Sequence, residues 1–141
     1  MKIILGADHA GYKLKEIIKK FLIKKKIEFE DTGTNSTEPV DYPDYAKKVA
    51  RKIQKNKNNR GILVCGSGTG MCIAANRFKK IRAVLAYDEY SAKMSRKDND
   101  SNILCLRGRK FNPKKAKKLV NIWLKEKFSN KKRHKRRIRK L

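Results

Sequence analysis

Three short stretches carry side chains that could do chemistry. Residues 63–77 read LVCGSGTGMCIAANR: an apolar run ends in Cys65 and passes directly into Gly66, Ser67, Gly68, Thr69 and Gly70. Glycines there let backbone N–H groups come close to a ligand, and a helix starting behind them turns its positive dipole end to the same spot. That combination suits an anion or a developing oxyanion. A thiol beside a helix N-terminus ionises more readily, which makes Cys65 a candidate base or nucleophile. The second stretch is Asp8-His9, at the end of another apolar run. The third is Asp98-Asn99-Asp100-Ser101-Asn102, just ahead of a further one. GSGTG is neither the dinucleotide pattern G-x-G-x-x-G nor the G-K-[ST] of a phosphate loop. Taken alone it also fits a tight strand-to-helix turn, and Cys65 alone fits a small buried hydrophobe. The thiol, the loop and Asp8-His9 together favour a site.

The elements that must position these residues follow from hydrophobic patterning. Stretches at 2–8, 27–31 (IEFED), 61–65, 81–87 and 102–108 read as strands, the third a continuous apolar run suited to the centre of a parallel sheet. Residues 12–26 place Leu14, Ile17, Ile18, Phe21 and Leu22 at helical spacing with lysines opposite. Helices are also expected at 44–57, after the glycines through MCIAANR, at 89–98 with Asp88 and Glu89 as caps, and at 112–128. The last is opened by Asn112 as cap and Pro113 at the first helical position. Residues 32–43, TGTNSTEPVDYP, read as a loop. Strict β-α alternation implies a single-domain, Rossmann-like α/β three-layer sandwich, a five-stranded parallel sheet with helices on both faces. That domain takes residues 1–128. Residues 129–141, SNKKRHKRRIRKL, form a basic C-terminal extension, either a disordered arm or a continuation of the last helix. Ligands in such sheets sit beyond the carboxyl ends of the strands, so all three stretches are expected to converge there.

Composition narrows the function classes. The chain has 141 residues, 39 Lys and Arg against 13 Asp and Glu, and a formal net charge of +26. Residues 111–141 hold 14 of the cations and one acid, Glu126. Most other lysines fall on solvent faces of helices, and no interleaving of aromatic and basic residues offers a stacking platform for bases. Nucleic acid is therefore not the expected partner, and a solvated basic surface accounts for the charge. Three irregularly spaced cysteines, Cys65, Cys72 and Cys105, argue against a disulfide framework and for a reducing, cytoplasmic compartment. Cys72 and Cys105 read as core. The opening run is too short for a signal peptide, and nothing approaches the roughly 18 apolar residues of a membrane span. With only His9 and His134 and no paired Cys/His spacing, no structural zinc site is expected, and no cofactor is called for. Trp123, on the apolar face of the last helix, reads as core or interface.

The motifs ADHAG, DTGTNS, VDYPDYA, CGSGTGMCIAANR, IRAVLAYDEYSA, DNDSNIL, the GR at 108–109 and RHKRRIRKL occur in that order across essentially the whole chain. Together they resemble the ribose-5-phosphate isomerase B family, which also includes the galactose-6-phosphate isomerase subunits. The resemblance implies a metal-free aldose–ketose isomerase of the pentose phosphate pathway, working through an enediolate on ribose 5-phosphate and ribulose 5-phosphate. It implies that Cys65 is the base between C1 and C2, and that the amides of Gly66, Ser67, Gly68, Thr69 and Gly70, with the Ser67 hydroxyl, hold the oxyanion. It implies that Asp8 and His9 bind sugar hydroxyls and the phosphate end, that Tyr42 walls the sugar, and that Asn99 binds near the oxyanion. Arg109, Arg133 and Arg137 match phosphate-binding arginines, whose guanidinium fork suits phosphate. The resemblance also implies a homodimer or tetramer, with the active site at the subunit interface and the tail reaching a neighbour. One departure stands out: the family commonly has His where this chain has Asp98, a residue used there to open the furanose ring. Asp98 is either an acid with a raised pKa, or a bystander to ring opening left to solution, His9 or His134, or the mark of a different substrate. It could also simply cap a turn. The rival within the family is a galactose 6-phosphate or allose 6-phosphate isomerase; the terminal R-H-x-x-R favours the pentose branch. The rival from another class is a non-catalytic, basic nucleic-acid-binding protein on the same scaffold.

Overall fold

The computed structural model describes all 141 residues. Five strands alternate with helices: β1 (Ile3–Ala7), α1 (Tyr12–Lys24), β2 (Phe29–Asp31), α2 (Tyr42–Lys55), β3 (Arg60–Cys65), α3 (Thr69–Asn76), β4 (Ala83–Leu85), α4 (Glu89–Asn99), β5 (Ile103–Arg107), α5 (Pro113–Lys125) and α6 (Lys132–Ile138). The strands form one sheet in the order β2-β1-β3-β5-β4, and every pairing is parallel. The expected α/β three-layer sandwich is the observed fold.

Side-chain alternation along the strands builds two cores. Ile3, Leu5, Ile62, Val64, Leu104 and Leu106 point to the face covered by α1, α4 and α5, where Leu14, Ile18, Leu119, Val120 and Trp123 meet them. Ile4, Leu63, Cys65, Ile103 and Cys105 point to the face covered by α2 and α3, against Val49, Ile53, Met71 and Ala75. Strands buried on both sides explain the unbroken aliphatic runs in the sequence. Trp123 is fully buried, and its indole N–H donates to Ser101 Oγ at 2.8 Å. Asp88 and Asn112 cap their helices as expected, whereas Glu89 is the first residue of α4 and its carboxylate pairs with Lys118 at 2.6 Å. Asp88 and Ser91 form a reciprocal capping box at α4, and Asn112 accepts the Lys115 N–H ahead of Pro113.

Two segments depart from the sequence expectation. α2 starts at Tyr42, inside the stretch expected to be a loop; Asp41 is its N-cap and Pro43 sits in its first turn, where a missing N–H costs nothing. The tail is neither a free arm nor a continuation of α5. The chain leaves α5 at Glu126 in an extended conformation, turns through Asn130 at φ 55, and forms the separate helix α6. α6 is docked on α4: the Ser129 N–H donates to Lys97 O at 2.9 Å, and His134, 4 % exposed, turns inward. Its seven residues KRHKRRI carry no apolar stripe, so periodicity could not reveal it.

Candidate active site

The order β2-β1-β3-β5-β4 makes the chain leave β1 to one side and return on the other, which opens a crevice between the carboxyl ends of β1 and β3. Asp8-His9 and Cys65 stand at its two sides. The Asp8 N–H donates to Val64 O (3.3 Å), and the Asp8 carboxylate accepts the Gly11 N–H (2.9 Å), so its side chain, 5 % exposed, is fixed at the turn into α1. His9 Nδ1 lies 3.1 Å from the Val40 nitrogen and 3.3 Å from the Val40 carbonyl oxygen, which ties the ring to the backbone of the loop ahead of α2.

Cys65 closes β3 at 4 % exposure. Its carbonyl accepts the Gly108 N–H (2.8 Å), and the Gly66 carbonyl accepts the Arg109 N–H (3.0 Å), so the glycine loop is pinned to the segment after β5. The Arg109 guanidinium lies against Gly66, 3.4 Å from where a Cβ would stand. Gly68 is the N-cap of α3 at φ 82, and a Cβ there would lie 2.9 Å from the Leu106 backbone; no other residue fits. Gly70 carries the Tyr42 ring, whose carbons would be 2.8 Å from an added Cβ. The Thr69 N–H donates to Ser67 Oγ (3.2 Å), which leaves the Ser67 hydroxyl proton free to donate outward. The backbone amides of Gly66, Ser67, Gly68 and Gly70 donate to no group within the chain. Four unspent donors at a helix N-terminus, next to a thiol, make a cradle for a negatively charged oxygen.

The third stretch lies elsewhere. α4 runs antiparallel to the strands, so Asp98 and Asn99 at its end fall at the amino end of the sheet. Asn102, three residues on, is bonded through its backbone to Arg82 and Gly61, at the starts of β4 and β3. The expectation that all three stretches converge at one edge is therefore corrected: within one chain Asp98 and Asn99 lie at the opposite end from Cys65. Arg133 and Arg137, both exposed on α6, lie at that amino end too, because α6 packs on the end of α4. The sequence-predicted residues thus fall into two groups: Asp8, His9, Tyr42, Cys65, the glycine loop and Arg109 at the carboxyl end, and Asp98, Asn99, Arg133 and Arg137 at the amino end. His134 belongs to the second as well. Its Nδ1 lies 3.2 Å from Asp98 Oδ1 and its Nε2 2.9 Å from Arg133 Nε. The sequence offered it as the second letter of R-H-x-x-R and as an alternative for ring opening, not as a neighbour of Asp98.

The family described as Ribose/Galactose Isomerase matches residues 3–141. This chain belongs to that family. The ribose 5-phosphate isomerase of Thermotoga maritima is 48% identical, covers 99% of this chain and 95% of its own, and superposes with a TM-score of 0.95. The ribose-5-phosphate isomerase B of Escherichia coli is 42% identical over 97% of this chain and 91% of its own. The ribose-5-phosphate isomerase B of Mycoplasma genitalium, whose structure holds ribulose 5-phosphate, is 40% identical with a TM-score of 0.94, covering 99% and 92% of the two chains. The sequence matches the family over residues 3–141, and the fold matches these solved structures over 99% of the chain. No helix of this member is long and apolar enough to cross a membrane.

Proposed function

We propose that the protein interconverts ribose 5-phosphate and ribulose 5-phosphate with Cys65 as the base. The observation that carries this reading is the Cys65 thiol beside the undonated amides of the glycine loop, at the switch point of the sheet. In the open-chain aldose the Cys65 thiolate takes the proton from C2. The C2 electron pair forms the C1–C2 double bond, and the carbonyl π pair moves onto O1. The amides of Gly66, Ser67, Gly68 and Gly70 and the Ser67 hydroxyl hold the resulting enediolate. The thiol then returns its proton to C1 while the O2 proton passes to O1, and the ketose forms with no net change in the enzyme. Asp8 and His9 face the sugar hydroxyls, and Tyr42, braced on Gly70, walls the ring. Arg109 approaches the loop from the β5 side.

The phosphate end requires more cations than this crevice holds. Arg133 and Arg137 are at the far end of the same sheet, so a second copy must bring its amino-end half-site to the crevice. The amino end offers a cavity of about 830 Å³ lined by Arg82, Asn99, Ile138 and Leu141, with Leu141 90 % exposed. An open, partly apolar mouth of that kind suits burial against another protomer. We therefore read the working molecule as a dimer, or a dimer of dimers, with each site shared.

The test is turnover of ribose 5-phosphate and galactose 6-phosphate side by side, in chelator, by the parent and Cys65→Ala. Pentose turnover that falls by roughly 10³-fold in the variant is expected, the scale of a lost general base. Near-parental turnover by Cys65→Ala removes Cys65 as the base. Activity confined to the hexose moves the chain to the other branch of the family.

A further inference from the structure

Two residues that the reaction outlined above leaves unused, Asp98 and His134, belong to one chain of close polar contacts. It runs from Asp98 on α4 through His134 to Arg133 on α6. Arg133 Nε stands 2.9 Å from His134 Nε2. An arginine Nε carries a hydrogen and offers no lone pair, so it donates and His134 Nε2 accepts. A neutral imidazole that accepts at Nε2 holds its proton on Nδ1. His134 Nδ1 lies 3.1 Å from Ser129 Oγ, its hydrogen-bond partner, and 3.2 Å from Asp98 Oδ1, within ion-pair distance. The His134 side chain is 5 % exposed and the Asp98 side chain 35 %, so the imidazole is enclosed between the Asp98 carboxylate and the Arg133 guanidinium. Arg133 itself is exposed. With Nε engaged inward, its two Nη groups are left facing out, four N–H donors in one plane.

We propose that Asp98 is a positioning residue: acting through the Nδ1–H tautomer of His134, it holds the Arg133 guanidinium with its Nη edge presented to the substrate phosphate. A carboxylate that fixes one imidazole tautomer so that the other nitrogen can serve a partner is a general device of histidine sites. Here the partner is an arginine rather than a metal or a nucleophile. In this role Asp98 accepts a hydrogen bond and gives no proton, so the carboxylate at this position serves binding rather than ring opening. The proposal rests on the reading of Arg133 as a phosphate ligand. The tautomer and the orientation of Arg133 are properties of the chain itself.

Two variants and two readouts test it. Asp98→Leu keeps the size and removes the acceptor; Asp98→Asn keeps an oxygen that can accept from Nδ1–H. Asp98→Leu should raise the KM for ribose 5-phosphate and the inhibition constant of inorganic phosphate together, by about ten-fold, the scale of one charge-assisted hydrogen bond. Its kcat should stay within about two-fold, and Asp98→Asn should restore most of the phosphate affinity. With His9 and His134 the only histidines, ¹⁵N NMR can assign each ring. His134 should be protonated at Nδ1 in the parent and shift toward the Nε2–H form in Asp98→Leu. A parent His134 protonated at Nε2 overturns the proposal. So does an Asp98→Leu variant that loses kcat while binding inorganic phosphate as the parent does. Absence of pentose turnover in the parent would instead defeat the isomerase reading. The NMR and inorganic phosphate measurements would still decide whether Asp98 orients Arg133.

Discussion

At the scale of single residues, the three cysteines have three different environments although they lie close in the fold. Cys65 ends β3 at the mouth of the crevice, Cys105 is fully buried in β5, and Cys72 is half-buried on α3. A hydrogen bond from the Cys105 thiol, against the opposing effect of burial and with help from the Leu85 N–H, brings the Cys72 thiol down to about 7. Burial, together with that contact, drives Cys105 well above the usual thiol range. The thiolate is the form that alkylates. At pH 7.5 iodoacetamide should therefore modify Cys72 readily and leave Cys105 untouched in the folded protein, which peptide mass mapping of a time course will show. Comparable labelling of Cys105 would mean that these environments are misassigned. A practical consequence follows for the base. Loss of activity on alkylation points to Cys65 only in a Cys72→Ala background, because Cys72 reacts in the same pH range and sits on the helix that carries the glycine loop.

At the scale of elements, the edge strand β2 is held by charge as well as by Phe29 packed against the core. It spans only three residues, none fully buried. Behind it Lys15, fully buried on α1, binds the Asp31 and Glu16 carboxylates, and Lys19 reaches the same two. Burial alone would raise the Asp31 carboxyl, but hydrogen bonds from Lys15 and Lys19 and from the Gly33 N–H outweigh it and hold it below the usual carboxylate range. The same balance lowers Glu16. A carboxyl depressed in the folded state stabilises fully above its unfolded pKa of about 4 and loses that contribution as pH falls through the folded value. Lys15→Met keeps the stem and leaves Asp31 short of a partner, at a cost of about 3 kcal/mol near neutrality. Urea midpoints at pH 7, 5 and 3 should show the gap between parent and variant shrinking toward pH 3, as Asp31 and Glu16 are protonated. A gap that holds constant with pH would show that Lys15 acts by packing alone. No pattern in the sequence distinguishes Lys15 from the lysines around it. Its helix was legible from Leu14, Ile18 and Leu22, whereas its burial depends on how the loop after β2 folds over it, with Gly33 against its stem.

At the scale of the whole molecule, what could be read in advance divides along the same physical lines. β1, β3 and β5 were legible because burial on both faces demands unbroken aliphatic runs, and the glycine loop because its residue types permit little else. The placement of Asp98 and Asn99 was not, because residue order shows that they precede β5 but not that α4 delivers them to the end of the sheet away from Cys65. That separation gives the strongest claim about assembly a direct test. If one protomer supplies Cys65 and its partner supplies Arg137, two defective chains can complement each other. Cys65→Ala should be inactive alone. Arg137→Ala should show raised KM and little turnover at low ribose 5-phosphate. Denatured together in equal amounts and refolded, half of the dimers are mixed. By the two-fold symmetry of such an interface, one of the two sites in each mixed dimer has an intact Cys65 facing an intact Arg137, and the other has neither. Activity at low substrate should therefore recover to about a quarter of the parent's. A site built within one chain predicts only the mean of the two variants measured separately. Recovery above that mean, growing as subunits exchange, is a result that only a shared site can give.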